Sequence, residues 1–350
     1  MANGMVHHGW CGGGTTRCLL ARIALLSVYI ASTVVVAAAP CGVYSWATVT
    51  APVTLEDPDC TVESATFTGP SAVLLIDLDH LAHGEEGCLI RVSLLNVSFA
   101  DGAVLQVVGG GATSSSVMVD IAVEGCSFTD SLLVVANVAL SNNASMLNIS
   151  GCTMAWSTDP GAGILAYFGG GGTPSPVLLA NVSLANGSTL SLGDTSVSIG
   201  AGVGVACNGV QTAGVTSVAS AAALLIDGNS ITANNASVAV GTVSVVDGAL
   251  VRINGGKLVG SCNGVQCYGV LLFSAVNIRM GSALLIDGNT IAMSTTSSTQ
   301  NAYSVFATSA GAITVTDSSV LSVASNDITA TSPVNTYGIY PPRPSRLLAP

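Results

Sequence analysis

The chain repeats a short block of sequence, and this repeat constrains the fold more than any other feature. The nine residues Ala223–Ile231 (ALLIDGNSI) return as Ala283–Ile291 (ALLIDGNTI), with serine changed to threonine. A looser form of the block, in which alternating apolar residues precede a small or polar turn, starts at nine positions. These are Cys60, Val92, Ile121, Leu147, Leu190, Leu224, Val251, Leu284 and Leu321. A unit of about 30 residues buries its apolar face only by stacking on its neighbours, so the repeat predicts a solenoid.

The alternation inside each block predicts strands. Apolar residues fall at every second position, as Leu284 and Ile286 do, which is the period of a strand. A second apolar run precedes the block, for example Val270–Phe273 and Val177–Leu179. Two or three strands per unit predict an all-β fold, a right-handed parallel β-helix of about nine or ten coils. A propeller is the alternative, but its blades need more strands and about 40 to 50 residues.

The same pattern predicts the core and the loops. The step from Leu147 to Leu190 is the longest and contains Gly169–Gly172, so it leaves room for one degenerate coil. This stretch and Gly110-Gly111 are expected to be long loops between coils. The residues expected to point inward include Ile121, Leu147, Ile149, Leu224, Ile226, Val251, Ile253, Leu284, Ile286 and Val323.

The first 39 residues predict a secretory signal peptide or signal anchor helix. No acidic residue occurs in the first 55 positions, and Arg17 and Arg22 precede an apolar run that ends at Ala39. Small residues fit cleavage after Ala38, but the run is also long enough to stay in a membrane. Either way the rest of the chain reaches the lumenal side, and from there the cell surface or the exterior. We expect a β-helix domain over 40–332 and a Pro-rich tail over 333–350.

Charge and composition exclude several classes of partner. Only 8% of the residues are charged and the net charge is −11. Nucleic acids need clustered Lys and Arg, and anionic lipid surfaces attract basic segments, so neither partner is expected. Membrane contact is expected only through the N-terminal segment, if it is not cleaved. Attached glycans would supply solubility, and six Asn-x-Ser/Thr sequons are candidates: Asn96, Asn143, Asn148, Asn181, Asn186 and Asn235.

Eight cysteines lie beyond the signal, and an even number in a secreted chain predicts disulfides. Cys126 and Cys152 fill the same slot in consecutive units, and coils about 4.8 Å apart permit a bridge between them. Two buried free thiols are the alternative. Cys207 could pair with Cys262 or Cys267, and a local Cys262–Cys267 bridge is the alternative there.

Single carboxylates recur, but the sequence does not predict a catalytic site. Asp227 and Asp287 are equivalent positions about two coils, or roughly 10 Å, apart. Glycoside hydrolysis needs convergent carboxylates, yet no partner carboxylate, Arg or Lys flanks either residue in the sequence. Asp247 and Asp317 precede later strands. Asp is common in turns before Gly and Asn, and that is the interpretation we adopt.

The densest charged stretch, from Asp77 to Glu86, contains His80 and His83. Two His and four carboxylates could ligate a metal, but no His follows to complete a site, so a solvated loop is favoured. The sequence therefore predicts no catalytic, cofactor-binding or metal-binding residue and no enzyme.

These features resemble the dispersed gene family protein 1 surface glycoproteins of trypanosomatid parasites. The resemblance is carried by the segment up to Ala39, the two LLIDGN blocks and the repeated CNGVQ, which starts at Cys207 and again at Cys262. It implies large surface or secreted proteins with β-helix-like repeats and C-terminal membrane helices, which act in adhesion to host cells or matrix. It transfers no catalytic residue. No second long apolar stretch follows residue 39, so we expect a shortened or fragmentary member.

The prediction for function is adhesion. A long, flat, weakly charged β face with Ser, Thr and Asn side chains suits host surface proteins, extracellular-matrix proteins or glycans. One alternative is a polysaccharide lyase or hydrolase on the same scaffold. Another is an antigenic display protein without a specific ligand.

Overall fold

The computed structural model describes residues 41–82, 87–109, 117–169, 172–263, 265–296, 298–308 and 312–340. Within these ranges the chain is a parallel β-helix, as the repeat predicted. Every strand pairs in parallel with strands of the neighbouring coils, which are the units that follow one another along the solenoid axis. The predicted N-terminal signal or anchor segment lies outside the described residues.

Sheet C contains the repeated block, and each of its strands belongs to one coil. All nine predicted block starts, from Cys60 to Leu321, lie in one register column of this sheet. The prediction of the repeat and of its period is thereby confirmed. The nine strands, which number coils 1 to 9 in order, are Asp59–Glu63, Leu89–Leu95, Met118–Glu124, Met146–Ser150, Thr189–Gly193, Ala223–Asp227, Leu250–Asn254, Ala283–Asp287 and Val320–Ala324.

Sheet A follows sheet C in every coil after a short turn. Its first strand precedes coil 1 and the other nine belong to coils 1 to 9. The ten strands are Thr48–Val49, Thr66–Thr68, Ser98–Ala100, Ser127–Thr129, Thr153–Trp156, Ser196–Ile199, Ser230–Ala233, Lys257–Cys262, Thr290–Thr295 and Asp327–Thr331.

Sheet B closes each coil and forks at Leu132–Leu140, where a side row of strands begins. Coils 4 to 8 therefore have four strands, one more than the two or three expected, because a turn divides the long return segment. The main row is Val53–Thr54, Val73–Asp77, Val104–Gly109, Leu132–Leu140, Val177–Ala180, Val210–Ala213, Ala236–Val240, Cys267–Leu272, Ala302–Ala307 and Thr336–Tyr340. The side row is Ser183–Leu184, Val215–Val218, Thr242–Val245, Val276–Ile278 and Ile313–Val315.

The turn from sheet C to sheet A has the same geometry in all nine coils. Its first residue has a left-handed backbone (positive φ), which glycine adopts without a steric penalty and Asn and Asp tolerate. The residue after it turns inward, and in the first eight coils it is buried. The left-handed residues are Ser64, Asn96, Gly125, Gly151, Asp194, Gly228, Gly255, Gly288 and Ser325. The inward residues are Ala65, Val97, Cys126, Cys152, Thr195, Asn229, Gly256, Asn289 and Asn326.

Asparagine in the inward slot forms hydrogen bonds with the preceding coil of its own column. The amide nitrogen of Asn229 donates to the Leu192 carbonyl at 2.8 Å, and its oxygen accepts from the Thr195 amide at 3.0 Å. Asn289 makes the equivalent contacts with the Ile253 carbonyl and the Gly256 amide. A buried amide needs such partners, because leaving one unpaired costs about 1–3 kcal/mol. The Asn of the LLIDGN block is therefore a structural residue.

The predicted core is confirmed for nine of its ten residues, which are buried with at most 3% exposure. The exception is Val323 in coil 9, which is half-buried because the structure describes no sheet C strand beyond that coil. Full burial of one aliphatic side chain contributes about 1.5–3 kcal/mol, so these columns dominate the stability of the solenoid.

The long step from Leu147 to Leu190 contains no additional coil. Leu147 and Leu190 pair directly in neighbouring strands of sheet C. The extra residues leave the solenoid after Trp156, form the short helix α2 (Ala162–Ala166) and return at Val177. Ile164 and Phe168 from this excursion pack on the outer surface of sheet B, with the fully buried Trp156 beneath them. We call this part of sheet B, over coils 2 to 5, the covered region.

The outer surface of sheet B in coils 7 to 9 has a different cover. Tyr268, Tyr303 and Tyr337 share one register column, and Phe306 and Tyr340 share the column three residues later. Tyr268 and Tyr303 stack with their ring centroids 5.4 Å apart, and Tyr303 and Tyr337 stack at 5.0 Å. These five residues are called the aromatic ladder.

Two short helices complete the described chain. A 3-10 helix, Cys41–Tyr44, precedes coil 1, and helix α1, Leu78–Leu81, follows the sheet B strand of that coil. None of the described helices is long and apolar enough to cross a membrane. Sheet B continues to Tyr340, beyond the boundary expected at residue 332, because Pro333 falls in the connection that precedes the last strand.

Candidate binding face

The outer surface of sheet A is a regular array of hydroxyl groups, which we call the hydroxyl face. One outward column holds a Ser or Thr in the first seven of its ten strands: Thr48, Thr66, Ser98, Ser127, Thr153, Ser196 and Ser230. The next outward column, two residues further along each strand, continues it with Thr68, Thr129, Ser198 and Thr232, separated by Ala100 and Ala155. Coil spacing sets the interval between hydroxyls of one column at about 4.8 Å.

The residues between the two columns point inward and hold the face flat. Phe67, Phe99 and Phe128 are almost fully buried and stack with centroids 5.2 and 4.7 Å apart. Met154 continues the same column in coil 4. Aromatic stacking adds about 0.5–1.5 kcal/mol per pair beyond burial, so this part of the face rests on a rigid support.

The first seven strands of the hydroxyl face contain no charged residue, and the flanking Asp101 carboxylate accepts from the Thr68 hydroxyl at 2.9 Å. Lys257 and Asp327, in the last three strands, are the charged members of the first column. The Ser127 hydroxyl donates to that of Ser98 at 2.9 Å. Thr153, Ser196 and Ser230 are exposed to solvent. Such a surface offers many weak, neutral hydrogen bonds, which suits an extended uncharged partner.

The two repeat-equivalent carboxylates do not converge. Asp227 and Asp287 share one column of sheet C with Asn254 between them, two coils apart as expected. Asp227 forms a bidentate ion pair with Arg252, whose Nε lies 3.1 Å from both carboxylate oxygens. The side chain of Asp287 accepts from the Ser322 hydroxyl at 3.2 Å and the Ala324 amide at 3.1 Å.

The expectation that no basic residue lies beside this pair is therefore wrong for Asp227 in the folded chain. Arg252 is one coil away in the structure although it is remote from Asp227 in the sequence. Asp247 and Asp317 are exposed turn residues with a left-handed backbone, as the turn interpretation predicted.

The charged stretch around His80 begins as a capped helix. The Asp77 carboxylate accepts from the backbone amides of Asp79 and His80 at 3.1 and 3.2 Å, and so caps helix α1. His83, Glu85 and Glu86 lie outside the described residues. Within the described ranges, no group of three or more His, Cys, Asp or Glu side chains is placed to hold a metal ion.

Three of the six sequons lie on exposed turns or loops. Asn96 and Asn186 have a left-handed backbone, and Asn143 lies in the loop before coil 4. All three are exposed, as a glycan acceptor must be. The other three, Asn148, Asn181 and Asn235, are half-buried.

In the half-buried sequons the amide nitrogen, which would carry the glycan, is already a hydrogen-bond donor. Asn148 donates to the Ser150 hydroxyl at 3.2 Å. Asn181 donates to the Asn137 side chain at 3.0 Å, and Asn235 to the Asn208 side chain at 2.8 Å. The Asn186 amide nitrogen also donates, to the Ser141 carbonyl at 2.9 Å, so it is exposure that makes Asn96, Asn143 and Asn186 the better candidates.

Two disulfides lie within the described residues. Cys262 and Cys267 are bonded, which is the local alternative, and Cys207 is a buried free thiol. Cys41 and Cys60 form a second bond, which the sequence analysis did not propose. Cys126 and Cys152 occupy adjacent inward slots as expected, and of the two alternatives the structure has buried free thiols.

Burial suppresses the reactivity of two of the free thiols, Cys126 and Cys207. A hydrogen bond to Cys152 and burial both raise the pKa of the Cys126 thiol. Burial, together with the charge of Asp159, raises the pKa of Cys207 to about 12. A thiol that stays protonated is a poor nucleophile and metal ligand, so Cys126 and Cys207 act as small core residues.

The aromatic ladder was not predicted from the sequence. A Tyr followed three residues later by an aromatic recurs at 303 and 337, one coil apart, and Tyr268 with Leu271 precedes it. This three-residue spacing between two aromatic residues, repeated one coil later, is the signal in the sequence that could have revealed the ladder.

Comparison with known proteins does not assign the chain to a family. No protein-family model matches it, and neither a curated protein nor a solved structure matches it.

Proposed function

We propose that the protein is a secreted or surface-attached adhesion glycoprotein that binds extended host glycans or matrix proteins through the hydroxyl face. One observation carries the proposal, namely the uninterrupted column of seven Ser and Thr residues from Thr48 to Ser230. A repeating row of neutral donors and acceptors suits a partner that also repeats, because many weak contacts add along its length.

Two further observations support the location. Disulfides such as Cys41–Cys60 persist in oxidising compartments, which include the secretory pathway and the exterior. The sequons at Asn96, Asn143 and Asn186 are exposed, which suits glycosylation. The resemblance to trypanosomatid surface glycoproteins agrees with this location and with adhesion.

The test is retention of the glycosylated chain on arrays of matrix proteins and glycans. Lysine at two exposed positions of the hydroxyl face, Thr153→Lys with Ser196→Lys, would place two charges in the neutral column. Met146→Lys is the matched control, because Met146 lies in coil 4 on the outside of sheet C and is 42% exposed. Surface changes of this kind alter stability by about 0.5 kcal/mol or less, so all variants should fold.

We expect saturable retention of the unaltered chain and of Met146→Lys, and its loss in the double variant. Equal retention of all three chains would show that the hydroxyl face is not the adhesive surface. The same samples are assayed for released reducing ends, which would favour the polysaccharide-cleaving alternative. Surface display without saturable binding would favour antigenic display.

A further inference from the structure

We propose that the aromatic ladder, with the amide side chains beside it, is a second binding site whose ligand is a neutral linear saccharide. The inference goes beyond the proposed adhesive function, because it places a saccharide ligand on a surface separate from the hydroxyl face. The site lies on the outside of sheet B in coils 7 to 9 and ends at Tyr340.

The rings form a continuous apolar strip with a graded exposure. Tyr268 and Tyr303 are 8% and 6% exposed because neighbouring rings cover them. Phe306, Tyr337 and Tyr340 are half-buried, and Phe306 stacks on Tyr340 with centroids 5.2 Å apart. The two buried rings hold the others in place, and the half-buried rings present the contact surface.

Polar groups run alongside the strip at one edge. The Asn301 side chain donates to the Tyr303 hydroxyl at 2.9 Å, and the Asn335 side chain donates to Asn301 at 3.3 Å. One coil earlier, the Tyr268 hydroxyl donates to the Gln266 side chain. Each coil therefore contributes a ring together with an amide, and this pair repeats along the solenoid axis.

This pairing fits sugar rings. A pyranose has an apolar face of C–H groups that packs on aromatic rings and an equatorial rim of hydroxyls that needs donors and acceptors. Small-molecule sites combine apolar and aromatic lining with a few placed polar groups in the same way. Tyr adds a polar end to a large apolar body, so one residue serves both needs.

The charge of the surface decides between ligand classes. The strands Ala236–Val240, Cys267–Leu272, Ala302–Ala307 and Thr336–Tyr340 contain no Asp, Glu, Lys or Arg. An acidic glycosaminoglycan or a nucleic acid requires cationic side chains that these strands lack. A linear neutral saccharide matches both the missing charge and the repeat of the ring and amide pair from coil to coil.

The experiment titrates the full chain with cellohexaose, mannohexaose and, as the acidic comparison, a hyaluronan hexasaccharide. Calorimetry and tyrosine fluorescence report binding. Tyr337→Ala with Tyr340→Ala removes the half-buried rings of coil 9, whereas Tyr337→Phe with Tyr340→Phe keeps them. Truncation of aromatic anchors costs more than about 1.4 kcal/mol at binding hot spots, which is a tenfold loss of affinity.

We expect at least one neutral hexasaccharide to bind, the hyaluronan hexasaccharide not to bind, and the alanine pair to weaken binding at least tenfold, as estimated from hot-spot energies. The phenylalanine pair should keep most of the affinity. Should the alanine pair misfold, Tyr340→Ala replaces it, and protection of tyrosine from a collisional quencher by bound saccharide gives a second readout.

Three results would overturn the proposal. They are no binding of any neutral hexasaccharide, undiminished binding by the alanine pair, or self-association of the chain that the alanine pair abolishes, since a second copy would then cover the ladder. The hydroxyl-face variant Thr153→Lys with Ser196→Lys separates the two proposals. Hexasaccharide affinity that falls in the alanine pair and not in the lysine pair assigns the saccharide to the ladder, whereas affinity that falls only in the lysine pair assigns it to the hydroxyl face and overturns the inference.

Discussion

The outer surface of sheet B is apolar in both halves of the solenoid, but the two halves are covered in different ways. In the covered region, side chains such as Leu132 and Leu178 are sealed by an excursion of the chain that carries Ile164 and Phe168. In the aromatic ladder, rings from successive coils cover one another and leave the last ones half-exposed. An outward apolar residue on a β-helix can thus mark either an internal second core or a surface open to a ligand.

The two halves also differ in what anchors them. The excursion is held by the Asp130 carboxylate, which accepts from the Ser157 amide at 2.6 Å, the Ser157 hydroxyl at 2.7 Å and the Thr158 amide at 3.1 Å. The ladder is held by ring stacking and by neutral amide contacts. The covered region should therefore respond to acid, and the ladder to alkali and to ring removal.

The largest expected effect is the loss of Trp156. This side chain is 1% exposed, and its indole N–H donates to the Ser131 carbonyl at 2.8 Å. Trp156→Ala should lower the free energy of unfolding by about 3–5 kcal/mol, as large-to-small core changes do. Urea unfolding measures it. Trp46→Ala is the control, since Trp46 is 74% exposed, and a loss there as large as in Trp156→Ala would contradict the assignment of Trp156 to a core.

Removal of the central ring of the ladder should cost less. Tyr303 stacks on Tyr268 and Tyr337, so Tyr303→Ala is expected to lose about 2–3 kcal/mol, below a fully enclosed core residue because the ladder can collapse outward. Tyr303→Phe keeps the stack and loses only the contact with Asn301, about 0.5–1.5 kcal/mol. Urea midpoints compare the two variants, and equal losses would mean that the hydroxyl rather than the ring stabilises the ladder.

Alkali should loosen the ladder. Burial, with a smaller contribution from Tyr303, raises the pKa of Tyr268 to about 12 from its ordinary 10.0. Folding therefore favours the protonated phenol, so the stabilisation is complete below pH 10 and is lost as the pH rises through about 12. Tyrosinate absorbance against pH should show a component that titrates near pH 12 and that Tyr268→Phe removes. A single early titration of all the tyrosines would contradict this prediction.

Acid should have the smallest effect, confined to the covered region. Burial alone would raise the pKa of Asp130, but hydrogen bonds from Ser157 and Thr158 outweigh it and the pKa lies below the ordinary 3.8. The stabilisation by the Asp130 carboxylate is thus present above pH 3.8 and is lost as the pH falls through the lowered pKa. Asp130→Asn should remove this acid dependence at a cost of about 1 kcal/mol. The measurement is the rate of proteolytic cleavage within residues 157–176 as a function of pH. A cleavage rate that does not change with pH would refute the prediction.

The sequence predicted what points inward but not what covers the outside. Period-two alternation located all nine strands of sheet C, because an inward residue is recognised by its own polarity. Contacts between side chains of neighbouring coils are harder to predict, since the two residues in contact are separated by a whole coil in the sequence. For this reason Arg252 beside Asp227, Cys41 beside Cys60, and Tyr303 between Tyr268 and Tyr337 were not foreseen.

The excursion escaped prediction for another physical reason. Helix α2 has the sequence AGILA, which carries no capping side chain and no charged residue, so its helical signal is weak. Packing of Ile164 on Trp156 and its neighbours, rather than local propensity, holds it in place.

The two near-identical blocks of sheet C have a consequence for inheritance. Ala223–Asp227 and Ala283–Asp287 lie in the same columns, two coils apart. Recombination between the coding sequences of the two blocks would delete or duplicate whole coils and never a part of one. The strands on either side of the junction would meet in the pairing that the intact chain already uses. Recombination of this kind would thus change the length by two complete coils at a time and keep the register of sheet C.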